Sequence, residues 1–476
     1  MMHTPPVTSP SHPSAHADLH LRYIWTIAFI AALGGLLFGY DWVVIGGAKP
    51  FYEVYFHLTS EVLIGWANSC ALLGCFAGSL LGGPTADRFG RKKLLVFSAL
   101  LFALSSVLTG WADRFSAFIV WRIVGGVAIG LASNVSPMYI AEISPAQWRG
   151  RLVSLNQLAI VIGILAAQLV NWRIAERIPA GQLQVVLATS WNAQYGWRWM
   201  FTAVAVPAVL FLCSAPFIPE SPRWLVAKAR PQAAADVLNR IGGQPYAQSE
   251  LSIIQKSLSA PHESTAWREL LSAHGRKLIA MGAILAVLQQ WSGINILFNY
   301  AQEVYRSAGY GVSEILFNIV ITGAINLIFT IIAMLLVDRF GRRKLMIFGC
   351  AAIGASHLAA SAAYRAHAQG TWVLILTLCA IACYAVSLAP VTWVLITEIF
   401  PNRMRASAVS VSVAILWVAS FVLTYTFPLL NRSLGTSGAF LIYAVVCFAG
   451  AVFVFMTLPE TKGRSLERLE DSMPHR

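Results

Sequence analysis

Charged side chains are scarce in this sequence: Asp, Glu, Lys and Arg make up 12% of its 476 residues, about half the share of a soluble domain. With a hydrophobic fraction of 57% and a mean hydropathy of +0.65, that scarcity excludes an ordinary soluble chain and implies a polytopic membrane protein. Acidic residues are the scarcer sign, 21 against 34 Lys and Arg. In a soluble chain the resulting +13 would suggest nucleic acid. In a membrane chain it follows from the basic bias of cytoplasmic loops, so no nucleic-acid partner is expected. Cysteine is sparse too. Cys70, Cys75, Cys213, Cys350, Cys379, Cys383 and Cys447 all sit in apolar runs away from histidine, which favours buried, inert thiols over disulfides or a metal site. A signal peptide is missing: residues 1–20 are rich in Pro, Ser and His, including His3, His12, His16 and His20, and read as a disordered cytoplasmic tail. No His/Cys/Asp cluster or nucleophile with a neighbouring base is apparent, so neither an enzymatic reaction nor a cofactor is expected.

What the chain does contain is a repeat. Asp87-Arg88-Phe89-Gly90-Arg91-Lys92-Lys93 returns about 250 positions later as Asp338-Arg339-Phe340-Gly341-Arg342-Arg343-Lys344. Glu142-Ile143-Ser144-Pro145, running on to Arg149, is answered by Glu398-Ile399-Phe400-Pro401 and Arg405. Pro219-Glu220-Ser221-Pro222-Arg223 is answered more loosely by Pro459-Glu460-Thr461-Lys462-Gly463-Arg464. Three signatures in one order make the chain two versions of one half.

Apolar runs of roughly 20 residues fit twelve spans, from 23–47 and 61–83 to 405–429 and 437–458. The fold class predicted is an all-α membrane protein, with twelve transmembrane helices in two pseudo-symmetric six-helix bundles. The tail at 1–20 precedes an N-terminal bundle over 21–218. A cytoplasmic linker over 219–276 follows, with short helices at Ala233 to Arg240 and Glu250 to Leu258. A C-terminal bundle occupies 277–458 and a cytoplasmic tail 459–476. The three repeated blocks then share one face. Placing that face in the cytoplasm puts most of the Lys and Arg inside, with both termini.

Charge within lipid is costly and usually functional. Asp41 and Arg122 sit inside spans, away from their ends. Asp41 lies about 28 Å along the first span at 1.5 Å per residue, and Arg122 lies within the first two turns of the fourth, so an ion pair is geometrically feasible. Gln289, Gln290 and Asn295 in the seventh span must face protein or a wet cavity. Amides both donate and accept, as a ligand rich in hydroxyls requires. Gln157 and Asn326 add to that set. Trp393 follows Pro390, which can break the tenth span, and supplies an aromatic face suited to a sugar.

These residues carry a resemblance. Gly39-Tyr40-Asp41, the doubled Asp-Arg-Phe-Gly-Arg, Pro137-Met138-Tyr139-Ile140-Ala141-Glu142, Pro219-Glu220-Ser221-Pro222-Arg223, Gln289-Gln290-Trp291-Ser292-Gly293-Ile294-Asn295 and Pro459-Glu460-Thr461-Lys462-Gly463 resemble the sugar porter family of the major facilitator superfamily. Within it the chain is most similar to bacterial xylose/proton and hexose/proton symporters. The resemblance implies two bundles around a central site, opened alternately to each side. It implies sugar contacts from Phe38, Gln157, Gln289, Gln290, Asn295, Asn326 and Trp393, and proton coupling through Asp41 with Arg122. It also implies a cytoplasmic gate in which Asp87, Arg91, Glu142, Arg149, Glu220, Arg223, Asp338, Arg342, Glu398 and Arg405 link the bundles. Four departures bear on the sugar. Ile164 and Leu416 stand where the xylose symporter carries glutamines, Asn299 replaces a tyrosine, and Ala389 replaces the glycine before Pro390. The function expected is proton-coupled monosaccharide symport across a bacterial inner membrane, by a monomer whose partners are the sugar, the proton and the bilayer. A passive facilitator and a non-transporting sugar sensor are the alternatives.

Overall fold

Long apolar segments become helices because in lipid each backbone N–H and C=O must find its partner within the segment. The structure is a computed structural model that describes residues 19–178, 188–259, 272–366, 370–401, 404–458 and 460, with the backbone alone at Ser259, His274, Val337, Asp338 and Ala406. The expected tails, apart from Leu19, His20 and Glu460, lie outside the described residues. So does linker segment 260–271.

All described regular elements are helical. The N-terminal half holds α1 (Leu21–Tyr55), α2 (Glu61–Phe89), α3 (Arg91–Gly110), α4 (Phe115–Ile143) and α5 (Arg149–Ile174), then α6 (Asn192–Phe217), a run of short helical pieces opening on a π turn. The linker contributes α7 (Pro222–Ala227) and α8 (Pro231–Ser259). The C-terminal half holds α9 (Ala273–Trp291), α10 (Ile294–Asn299), α11 (Ala301–Ser307), α12 (Val312–Phe340), α13 (Arg342–Arg365), α14 (Thr371–Val386), α15 (Leu388–Glu398) and α16 (Arg405–Thr457).

Among the described residues eleven candidate spans emerge by length and hydropathy, and the last, Ser407–Thr457, is 51 residues long. It contains the two expected spans 405–429 and 437–458, joined at Gly435, whose φ of 68° turns the chain with one left-handed residue. The architecture is therefore the twelve-span bundle pair. The first span differs from its expected limits of 23–47: α1 continues to Tyr55 with Pro50 inside it. In the tenth span the break falls at Ser387, between α14 and α15, rather than at Pro390. Proline lacks an N–H and its ring crowds the carbonyl four residues earlier, so the ladder fails on its N-terminal side. The expected linker helices lie on either side of a break in α8 at Gly242 and Gly243. His20 is tied to that helix, its Nδ1 3.0 Å from the Arg240 carbonyl.

Small residues let the spans approach. A Cβ added at Gly126 of α4 would meet the Ala71 carbonyl of α2, and one at Gly78 of α2 would meet that of Val127. Close backbone approach of this kind is how helices associate in lipid. Six spans return each half to the face it started from, so the start of α1, the linker helices and the end of α16 share one face, called here the termini face. The halves meet along α5 against α12, α2 against α16, and α1 against α10 and α11.

Of the seven thiols, Cys213 and Cys379 are exposed on helix surfaces and Cys383 is half-buried, while the other four are buried. The expectation of uniformly buried cysteines is corrected for those three. An apolar run in a membrane helix has a face turned outward, toward lipid, and burial cannot be read from hydropathy there.

Candidate functional site

The first component is an ion pair in the N-terminal half. Arg122 of α4 donates through Nη1 to both carboxylate oxygens of Asp41 on α1, at 3.1 and 3.2 Å. Each residue is 3% exposed. Phe201 of α6 covers the guanidinium, with its ring centroid 5.4 Å away. Two isolated charges here would each carry a heavy desolvation cost, and pairing offsets it. Among the described residues the Arg122 Nε has no hydrogen-bond partner.

The second component is an amide relay in the C-terminal half. Helix α9 ends at Trp291, and Gly293, with φ of 82° and ψ of −9°, starts α10. Only glycine takes that left-handed conformation at little cost. A Cβ there would also lie 2.8 Å from Tyr443 Cγ. The break frees the Ser292 carbonyl, which lies 2.8 Å from His357 Nε2. It also turns Asn295 back toward the end of α9. Asn295 Nδ2 donates to Gln290 Oε1, Gln290 Nε2 donates to Gln289 Oε1, and Gln289 Nε2 donates to the Tyr384 hydroxyl at 2.8 Å. Gln289, Gln290 and Asn295 are all buried. Such a chain of amides polarises its members and fixes their directions.

Aromatic faces flank this set. Phe38 of α1, half-buried, lies 5.9 Å from the ring of Trp417 on α16. Trp417 is buried, and among the described residues its Nε1 finds no partner; a buried indole N–H without a partner is costly. Trp393 on α15 and Gln157 on α5 are half-buried, and Asn326 on α12 is buried; no described bond joins these three to the relay. Sequence reasoning missed Tyr384 and Trp417. Both look like core aromatics, and only the relay and the unpartnered N–H set them apart. Ile164 and Leu416 are buried apolar side chains.

At the termini face the three repeated signatures prove to be one device, built twice. Gly90 (φ 99°) ends α2 and Gly341 (φ 86°) ends α12, and the arginine after each opens the next helix. Glu220 Oε1 accepts from the backbone N–H groups of Arg91 at 2.9 Å and Lys92 at 3.2 Å. Glu460 Oε1 accepts from that of Arg342 at 3.0 Å. A carboxylate at a helix N-terminus satisfies orphan donors and complements the dipole. The arginine side chains reach the third signature. Arg91 holds Glu142 with two bonds of 3.0 Å, and Arg342 lies 3.6 Å from Glu398. Asp87 pairs with Arg91 at 3.0 Å. Arg149 and Arg405 donate to the carbonyls of Ala141 at 3.2 Å and Phe400 at 3.1 Å. These bonds run within each half. Arg223 stands at the second position of α7, and the side chain of Asp338 lies outside those described.

Apart from Phe38 with Trp417 at the central site, the named contacts between the halves gather at the face opposite the termini. Trp42 meets Phe298 at 6.0 Å, Trp172 meets Phe317 at 5.9 Å, and Trp66 meets Phe421 at 6.2 Å. The Ile178 N–H donates to Ser313 Oγ at 3.0 Å. Lys49 is a buried charge that the expected end of the first span, at 47, left out; it bonds Glu303 of the other half.

Residues 27–472 match the family model described as sugar (and other) transporter. The chain is 36% identical over 479 residues to the D-xylose-proton symporter of Escherichia coli (strain K12), covering 94% of this chain and 95% of that one. It is 37% identical over 475 residues to the glucose transport protein of Synechocystis sp. (97% and 100% covered). To the arabinose-proton symporter of Bacillus subtilis (strain 168) it is 35% identical over 471 residues (99% of each chain). Among solved structures, the partially occluded inward open conformation of the E. coli xylose transporter aligns with a TM-score of 0.82 at 36% identity, over 93% of this chain and 100% of that one. The fold, the doubled device and these matches agree: the chain belongs to the sugar (and other) transporter family, and it is a transporter rather than an enzyme.

Proposed function

We propose that the chain is a proton-coupled monosaccharide symporter working by alternating access, with both termini in the cytoplasm of a bacterial cell and the bundles in its inner membrane. The observation that carries coupling is the Asp41–Arg122 pair, buried on α1 and α4. Protonating Asp41 removes its charge and frees Arg122, so proton binding and a change of partner are one event. The relay of Gln289, Gln290 and Asn295, with Gln157, Asn326, Phe38 and Trp393, is assigned to the sugar. Two relatives named as sugar-proton symporters support coupling. Buried, apolar Ile164 and Leu416 make the pocket less polar, nearer that of glucose-type porters than that of a xylose porter, and the substrate assigned is a monosaccharide, hexose or pentose.

With its interhalf contacts at the far face, the structure fits a state open toward the cytoplasm. In the opposite state, the acid and arginine groups of the termini face are assigned to hold the bundles together. The test is accumulation in proteoliposomes under an inward proton gradient, with counterflow against unlabelled pentoses and hexoses to name the sugar. Accumulation abolished by a protonophore supports symport. Uptake that a protonophore leaves unchanged would make the chain a passive facilitator, and binding without uptake a sensor.

A further inference from the structure

One buried cation is not used by the site described above. Lys49 lies two turns beyond Asp41 on α1 and is 1% exposed. Its ammonium serves two carboxylates. One belongs to Glu53, a turn further along the same helix at 2.7 Å. The other belongs to Glu303 on α11, across the seam between the halves. Lys49 Nζ also sits 5.3 Å from the centroid of the Tyr300 ring, the residue that joins α10 to α11. The seam here is close: a Cβ at Gly46 would run into the Phe298 carbonyl.

The two acids are not equivalent. Parting the halves at this face must break the bond to Glu303, because that residue moves with α11. Glu53 moves with Lys49. As the halves part, the ammonium must leave Glu303 before water fully replaces it, and the Glu53 carboxylate one turn away stays beside it as counter-ion, which lowers the cost of opening. We infer that Lys49 is the bolt of the gate on the face opposite the termini. Glu303 holds it in the shut state, and Glu53 alone holds it in the open state. This rests on the alternating-access reading, and it assigns three residues that neither the sugar site nor the Asp41 pair employs.

The assignment makes an unusual demand. Glu303→Gln and Glu53→Gln each remove one negative charge beside the same ammonium, and a general electrostatic effect would move both variants the same way. The bolt requires opposite movements. Glu303→Gln deletes a contact made only in the shut state and favours opening. Glu53→Gln spares the shut state, where Glu303 still pairs Lys49, and penalises the open one.

The measurement is a distance between nitroxides on the full chain in lipid nanodiscs, with labels at His57→Cys and Arg306→Cys and with exposed Cys213 and Cys379 replaced by Ala. Both label positions are exposed, one just past α1 and one on α11. Glu303→Gln is expected to raise the ratio of long to short distances by about tenfold and Glu53→Gln to lower it comparably. In a Lys49→Met background, Glu303→Gln is expected to move nothing. Shifts in the same direction, no shift, or a shift that persists without Lys49 would overturn the assignment. The readout needs neither sugar nor a proton gradient, so failure of the bolt and failure of proton-coupled transport are separate results.

Discussion

At the scale of the residue, the account depends on what an amide or a charge costs when water is absent. Replacing Gln290 or Asn295 with Ala leaves a sugar hydroxyl or a neighbouring amide unpaired, an effect of about 1–3 kcal/mol each. Calorimetry on the purified variants is expected to show affinity falling by that amount with folding intact; unchanged affinity would make the relay a structural one. These polar residues were legible in the sequence because an amide in an apolar run has few explanations. Tyr384 and Trp417 were not, since a tyrosine or tryptophan in a membrane helix is indistinguishable from core packing until its polar atom is located. Lys49 escaped for another reason. A span measured by hydropathy stops where charge begins, whereas α1 carries its lysine into the seam because Glu53 and Glu303 neutralise it.

At the scale of the element, the repeated signatures are legible as a repeat but not as a mechanism. Nothing in Asp-Arg-Phe-Gly-Arg says that the glutamate of a distant Pro-Glu block will cap the helix it opens, because that contact joins residues more than a hundred positions apart, as in Arg91 with Glu220 (|i−j| = 129). The glycine between the helices is the joint. At Gly341 a Cβ would force φ of 86° on an L residue and stand 2.7 Å from the Glu460 Oε2. Gly341→Ala is expected to destabilise the protein by about 1–3 kcal/mol. Gly83→Ala, where nothing lies within 4 Å, is expected to be neutral or to stabilise by up to about 1 kcal/mol. Thermal unfolding in detergent distinguishes the two, and equal losses would refute the capping role. Glu398→Gln is expected to raise thiol labelling of a cysteine placed in the termini-side opening, as the bundles lose a group that holds them shut there. Labelling no higher than in the parent would remove Glu398 from the gate.

At the scale of the whole molecule, two halves and twelve spans were readable from composition and repetition, while the joins were not: Gly435 turns the chain with one residue, and the tenth span breaks before its proline. The conformation was not readable at all, because a sequence that alternates between states encodes both. The central claim is that Asp41 couples the proton to the movement of the halves. It is tested most directly with Asp41→Asn in proteoliposomes, measuring labelled-sugar accumulation under an inward proton gradient and equilibrium exchange without one. The account predicts that accumulation is abolished, while sugar binding persists and exchange is damaged less, since exchange needs no net proton movement. Accumulation above the equilibrium level in that variant would contradict it.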